Sequence, residues 1–262
     1  MNPDHLEQSD PENRMRAALV TGAASGIGLV IAQRLAREGF ATHITSRSQE
    51  RLDDAVARTA ELGLSLSGHH VPRAEESIVE RVTSTVFSNA APGSALVNNA
   101  AQRFHSPLHA TPLDAWEEVL AAGLTSAFLW TRAAVRLFTA TGGGRIINMA
   151  GRSGEMGESG RVAIVAAKAG LIGLTRATAR EYALQDITCN AVSPSAVESE
   201  SVAAAVAADE HQRQYFDQRR REIPMGRFAR PEEVAGAVAW LAGPDGAFVT
   251  GQVVRVNGGV YA

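Results

Sequence analysis

Thr21-Gly22-Ala23-Ala24-Ser25-Gly26-Ile27-Gly28 is the stretch whose reading decides the fold. An apolar run, Ala17-Ala18-Leu19-Val20, leads into it, and a helical pattern with Ile27, Ile31 and Leu35 four apart leads out to Glu38-Gly39. That order is strand, glycine turn, helix. Gly22 and Gly26 let the backbone turn tightly and approach a ligand, and Gly28 lets the helix sit near the strand. The first helical N–H groups, beyond Ser25 and around Ile27, then point above the turn, where a phosphate is the natural guest. A β-branched strand, Thr42 to Thr45, follows. This context makes the stretch a nucleotide-binding turn rather than an ordinary glycine-rich connection.

Working outward, the 262 residues fit one α/β domain, residues 16–262, after an acidic, proline-containing tail expected to be disordered over residues 1–15. A net charge of −3 gives no electrostatic case for nucleic acid or an anionic membrane surface. No apolar run reaches the ~18 residues of a membrane span, and the N-terminus lacks the apolar core of a signal peptide. Cys189 stands alone, so no internal disulfide can form, which predicts a cytoplasmic protein. Among 25 basic side chains Lys168 is the single lysine. A chain that uses arginine almost everywhere yet keeps one lysine needs a compact ammonium there rather than a planar fork.

Further along, Ser46 and Arg47 stand where the second strand ends. A carboxylate there would accept bonds from the ribose 2′-OH of NAD, whereas an arginine suits the 2′-phosphate of NADP. The place holds no carboxylate, so NADP(H) is expected in preference to NAD(H). A third strand is faint around Leu64 to Val71, followed by a helix from about Glu75 to Asn89. Ala95 to Ala101 reads as a buried strand ending in the amides Asn98 and Asn99. Trp116 to Phe138 reads as one long helix, Gly144 to Met149 as a strand and Val162 to Leu184 as a helix carrying Lys168. Ile187 to Val192 reads as a strand broken by Pro194. An alanine-rich then arginine-rich excursion over residues 195–224 is expected to form a substrate lid. Pro231-Glu232-Glu233 opens a helix, and Val253 to Val256 is the last strand. Alternating strands and helices argue a doubly wound parallel sheet.

Taken together, Thr21-Gly-x-x-x-Gly26-Ile-Gly28, Asn98-Asn99-Ala100, Ala167-Lys168-Ala169-Gly170, Asn190-Ala191-Val192-Ser193-Pro194, Pro231-Glu232-Glu233 and Val256-Asn257-Gly258-Gly259 resemble a short-chain dehydrogenase/reductase of the classical type. The resemblance covers residues 16–262. It implies a Rossmann-like single domain, a nicotinamide dinucleotide, a small-molecule substrate and a homotetramer or homodimer. It also implies a cofactor set of Gly22, Ser25, Gly26, Ile27, Gly28, Ser46, Arg47, Asn98, Ala100, Lys168, Pro194, Val197 and Ser199.

Against the family pattern, the sequence departs at the proton machinery. The resemblance places the usual tyrosine at Ile164, the serine at Gly151 and the asparagine at Gly123, leaving only Lys168 of four. No tyrosine precedes Glu181, and Ser153 lies two residues past the serine position. His70 replaces the acid that reads adenine, Ser199 a threonine, and Ser195 the glycine after Pro194. Loss of a positioned general acid costs ~10²–10⁴ in rate. Ordinary ketone reduction is therefore not expected. The sequence supports hydride transfer to an activated iminium or enone. Two alternatives stay open: non-redox cyclase, dehydratase or isomerase chemistry with NADP(H) structural, and a non-catalytic role. Catalytic candidates are Lys168, Ser153, Glu155 and His105. Arg103, Arg152, Glu158, Glu198 and Glu200 lie on the same rim of strand ends.

Overall fold

Four apolar residues in a row, Ala17–Val20, bury both faces of a strand only when helices cover the sheet on both sides. The computed structural model describes residues 14–198, 202, 207 and 209–261; residues 1–13 of the tail expected over 1–15 lie outside the described residues, while Met15 O, at the end of that tail, accepts from Ala91 N at 3.0 Å. The strands are β1 (Ala17–Val20), β2 (Ala41–Ser46), β3 (Leu66–His70), β4 (Ser94–Asn98), β5 (Gly144–Met149), β6 (Ile187–Pro194) and β7 (Val253–Val256). They form one parallel sheet in the order β3-β2-β1-β4-β5-β6-β7. Helices α1 (Gly26–Arg37), α2 (Gln49–Ala60) and α9 (Pro231–Ala242) pack on Val20, Ile44, Val97 and Ile147. Helices α3 (Glu76–Phe87), α5 (Ser126–Thr141) and α7 (Val162–Tyr182) pack on Leu19, Leu96 and Ile146 from the other side. Shorter helices α4 (Leu113–Leu120) and α6 (Ser153–Met156), together with α8 (Glu210–Arg221), complete a Rossmann-like α/β domain.

Strand order reverses between β1 and β4, and that switch point opens a crevice beyond their carboxyl ends. The glycine turn leaves β1 there, and the two amides leave β4. The fold therefore delivers both motifs to one place.

Two expectations need correction. Trp116 to Phe138 is not one regular helix: α4 and α5 are joined by a wider π-type turn, Ala121–Thr125. Gly123 sits in that turn, where an added Cβ would meet Ala167 Cβ at 3.4 Å. Such a turn opens the backbone ladder and is often found at functional sites. Pro194 does not end its strand early. It is the last residue of β6, paired with Val256, where a missing N–H is tolerated. Val162–Gln185 is long and apolar enough to cross a membrane by length and composition alone, with mean hydropathy 1.4, but Lys168, Arg176 and Arg180 interrupt it and Ala163, Ala167, Ile172 and Ala179 pack into the core clusters of the domain.

Candidate active site and cofactor cradle

The turn after β1 is held by its neighbours rather than by its own side chains. Gly22 N donates to Thr45 Oγ1 at 3.1 Å and Ala23 N to Thr45 O at 3.0 Å. Thr21 Oγ1 accepts from Asn99 N at 3.0 Å and Ala100 N at 3.1 Å. Asn99 Nδ2 returns bonds to Thr21 O and Gly22 O at 3.0 and 3.1 Å. Gly22 has φ +60°, and a Cβ on it would lie 2.9 Å from Ala100 Cα. Gly26 has φ +58° with no other atom within 4 Å of its would-be Cβ, so the space above it is open.

At the start of α1, Ser25 makes no side-chain cap and the first turn holds no acid. The orphan N–H groups and the positive end of a 12-residue helix therefore face open space, which fits an anion such as a pyrophosphate. At the tip of β2, Ser46 is buried and accepts from Ser48 N at 3.1 Å. Arg47 is exposed and, among the described residues, donates only to the neutral amide oxygen of Gln102 at 3.0 Å, with no carboxylate paired to it there. His70 Nε2 lies 3.2 Å from Arg47 O and fixes that corner. A ligand phosphate suits these groups.

Asn98 behaves differently from its expected role. Its side chain is buried and donates to Thr131 Oγ1 at 3.0 Å and Asn148 Oδ1 at 2.8 Å. Asn148 continues to Thr175 Oγ1 at 2.8 Å, so a polar ladder crosses β4 and β5 to α7. Burial pushes the neighbouring Cys189 thiol up to about 12, despite hydrogen bonds from Thr175, Asn148 and Thr178. Asn99, not Asn98, brings its amide to the glycine turn. The sequence offered one signal for this: two amides in succession at a strand end, of which alternation sends one inward and one outward.

Across the crevice, Lys168 lies on α7 with Ile164 one turn before it. Lys168 Nζ donates to Met149 O at 2.5 Å. Burial, then the nearby charge of Arg103, lowers its pKa from 10.5 to about 8. Ile164 is half-buried and packs against the small buried cluster of Val119, Ala163 and Ala167, which Phe104, Trp116, Leu120 and Leu124 also cover, so the residue one turn before the ammonium is apolar. Gly151 has φ +94° in the loop after β5. Gly154 lies tight against α7, its would-be Cβ 2.7 Å from Lys168 Cβ. Ser153 opens α6, and its hydroxyl makes no hydrogen bond among the described residues.

The other acid–base candidates are engaged. His105 Nε2 accepts from Arg161 Nε at 2.7 Å, which requires that nitrogen to be unprotonated. Glu155 Oε1 accepts from Ser193 Oγ at 2.6 Å and Tyr261 OH at 2.5 Å, while Arg255 Nε reaches Oε2 at 2.9 Å. Burial works to raise the Glu155 pKa, but these hydrogen bonds together outweigh it and hold the carboxyl below its usual range. Burial, then the Glu155 bond, raises the Tyr261 phenol. Glu155, Tyr261 and Arg255 line a cleft of about 470 Å³ with Ile172 and Arg176. Tyr261 thus bonds Glu155 and not the Lys168 ammonium. Its position near the end of the sequence gave no sign of this meeting.

On the lid side, Arg219 reaches Glu158 at 2.6 Å, Arg161 reaches the same carboxylate at 3.2 Å, and Arg152 lies 3.8 Å from Glu222. These pairs tie α8 to the loop after β5. Pro194 O accepts from Arg152 N at 3.1 Å. Val197 forms a bridge with Ala229, placing the start of the excursion against the approach to α9. Ser199 and Glu200 lie outside the described residues.

Comparison with known proteins agrees with this architecture. The family model described as enoyl-(acyl carrier protein) reductase matches residues 22–261. The chain is 36% identical to the 3-oxoacyl-(acyl carrier protein) reductase FabG of Aquifex aeolicus, over 94% of this chain and 97% of that protein. It is 33% identical to FabG of Escherichia coli, over 94% and 97%. A Phe-to-Trp variant of actinorhodin polyketide ketoreductase, solved with NADPH, superposes with a TM-score of 0.87 at 32% identity, covering 96% of this chain and 98% of that one.

Proposed function

We propose, from the premise that the chain belongs to the short-chain dehydrogenase/reductase family of oxidoreductases, that it uses NADPH to reduce the carbon–carbon double bond of an activated enone. The observation that carries this reading is the pairing of Lys168 with an apolar neighbour. The ammonium bonds Met149 O, while the side chain one turn earlier is Ile164, packed against the cluster of Val119, Ala163 and Ala167. Of the family's usual proton-handling set, Gly123, Gly151 and Ile164 hold no polar side chain.

The cradle suits the cofactor. The first turn of α1 and the open space above Gly26 would hold the pyrophosphate. Arg47 would meet a 2′-phosphate, and Lys168 the nicotinamide ribose. Pro194 and Val197 would line the nicotinamide end. Bound there, NADPH supplies a hydride.

What the chain supplies is charge compensation. Hydride addition to a ketone carbon leaves an alkoxide, which needs a proton as it forms. Addition to the β-carbon of an enone places the charge on a conjugated enolate oxygen, which is far less basic, so the proton that completes the reduction at the α-carbon comes from solvent after the hydride has arrived. Lys168 and Arg103 stabilise that oxygen electrostatically without a phenol. The same cations disfavour an iminium substrate: two unit charges 4 Å apart repel by about 4 kcal/mol at an effective dielectric of 20. Electrostatics therefore selects the enone of the two activated classes. Ile164 and Phe104 keep water from the reacting carbon. The residues after β6 and α8 form the lid, with Glu155 and His105 positioning the rim.

The relatives' names point to 3-oxoacyl and ketoacyl reduction by those proteins. Their substrates come to this chain only as a shape of pocket. The test is loss of NADPH absorbance with a neutral pair, cyclohexenone and cyclohexanone. The reading expects consumption with cyclohexenone and at least ~10²-fold less with cyclohexanone. Equal rates, or product formed without NADPH loss, would overturn it.

A further inference from the structure

Two opposite charges stand at the mouth of the crevice without pairing. Arg47 follows β2, and Glu118 lies in the last turn of α4. Gln102, in the loop after β4, stands between them. Its Oε1 accepts from Arg47 Nη1 at 3.0 Å, and its Nε2 donates to Glu118 Oε2 at 2.9 Å. A primary amide has one accepting and one donating end, so it satisfies a guanidinium and a carboxylate at the same time. Its neighbours fix its orientation: turned over, it would set N–H against N–H on one side and oxygen against oxygen on the other.

Backbone contacts hold this bridge against the glycine turn. Strands β2 and β4 flank β1 in the sheet. Two residues before Arg47, Thr45 accepts from Gly22 N and Ala23 N at 3.1 and 3.0 Å. Two residues before Gln102, Ala100 N donates to Thr21 Oγ1 at 3.1 Å, and Ala100 Cα would lie 2.9 Å from a Cβ on Gly22. Arg47 and Gln102 therefore leave opposite sides of the turn, and their side chains meet across it. The far end is anchored as well: Val119, next to Glu118, is buried with Ala163 and Ala167 of α7.

We infer that Gln102 is a positioning residue for cofactor choice: it holds Arg47 ready for the 2′-phosphate of a nucleotide and keeps Glu118 from pairing with that guanidinium. An arginine paired with a carboxylate must give that partner up before it takes a phosphate, whereas one resting on a neutral amide gives up less. Among the described residues Arg47 makes no ion pair, although Glu118 is one side chain away. Of the five N–H groups of its guanidinium, one is spent on Gln102. Other residue types at this position would fail for stated reasons. A glutamate would pair with Arg47 and repel Glu118, and a lysine would do the reverse. A small apolar side chain would leave the two charges free to find each other.

The role rests on the NADPH reading, which brings a 2′-phosphate to Arg47, but its test needs no turnover. Calorimetry is run on the full chain with adenosine 2′,5′-bisphosphate and with AMP, which differ by the 2′-phosphate. The native chain is expected to bind the bisphosphate at least ~10-fold tighter, the scale of one charged hydrogen bond. Gln102→Glu should cut that preference by ~10-fold, because a carboxylate then competes for Arg47, with AMP affinity unchanged. Gln102→Ala should cut it as well, and Glu118→Gln added to Gln102→Ala should restore it, a rescue that a merely structural role for Gln102 would not give. Circular dichroism should be unchanged in all three. A preference that survives Gln102→Glu, or a Gln102→Ala loss that Glu118→Gln leaves in place, would overturn the inference and leave the NADPH reading standing. A native chain that binds the two nucleotides equally would overturn both.

Discussion

The two lips of the crevice are built on opposite plans. On the β1 and β4 side, the ligand-facing surface is backbone: glycines at positive φ, orphan helix N–H groups, and side chains of Thr21, Thr45 and Asn99 spent on holding the loop. On the β5 and α7 side, the surface is side chain: Lys168, Ile164, Phe104, Arg103 and the ion pair of Arg219 on α8 with Glu158. A backbone cradle tolerates almost no change, because any Cβ fills the space the ligand or the neighbouring loop needs. A side-chain surface can be rewritten residue by residue while the fold stays. The difference teaches that cofactor use and reaction type are separable here, and each can be attacked independently.

The largest effect is expected on the rigid lip. Gly22→Val puts a branched side chain at φ +60°, with its Cβ 2.9 Å from Ala100 Cα. Left-handed strain of ~1–2 kcal/mol and overpacking of ~1–3 kcal/mol should together destabilise the chain measurably in urea. Gly26→Ala, at φ +58° in open space, should show only the strain. Equal losses at both sites would erase the claim that Ala100 closes against Gly22.

Next comes the one residue shared by both lips. Lys168→Arg keeps the charge but not the compact ammonium that reaches Met149 O. NADPH affinity should fall by roughly tenfold, about the worth of one charge-assisted hydrogen bond, with calorimetry as the readout. Unchanged affinity would remove Lys168 from the cradle.

On the β5 and α7 side, Ile164→Tyr places a phenol one turn from Lys168 and should raise cyclohexanone reduction above the native level. Adding Gly151→Ser is expected to cost ~1–2 kcal/mol in melting experiments, because Gly151 holds φ +94°. A serine that left the melting temperature unchanged would mean the loop has no left-handed requirement.

The pH response separates the lips again. With a pKa of about 8, Lys168 loses its charge as pH rises through 8, so reduction of an enone should decline there. Stability should move the other way. Unfolded Lys168 keeps its proton to about 10.5, so the unfolded state binds more protons in that window and the fold gains stability as pH rises. Arg103→Gln removes one depressing charge and should move the activity midpoint upward. The smallest effect belongs to the lid: Glu158→Gln breaks contacts to Arg161 and Arg219 worth ~0–1 kcal/mol in total stability.

Legibility followed the same division. The backbone lip could be read from Thr21 to Gly28, because glycine spacing, an apolar strand and an amphipathic helix are local signals. Even there, the sequence pointed to Asn98 although Asn99 does the bonding, since which amide turns inward depends on strand pairing. The π-type turn at Ala121–Thr125 was hidden because its residues keep a helical pattern. On the side-chain lip, Lys168 stood out by being the single lysine. The Glu155–Ser193–Tyr261–Arg255 cluster could not be read, because it joins four segments that only the sheet order brings together.

The most direct measurement is NADPH oxidation by the native chain with acetylacrylate and with levulinate, which differ only by one double bond. Both carry the carboxylate and the ketone, so they differ chiefly in whether a proton must arrive together with the hydride. The account predicts rapid oxidation with acetylacrylate and almost none with levulinate. Levulinate consumed as fast as acetylacrylate would contradict it.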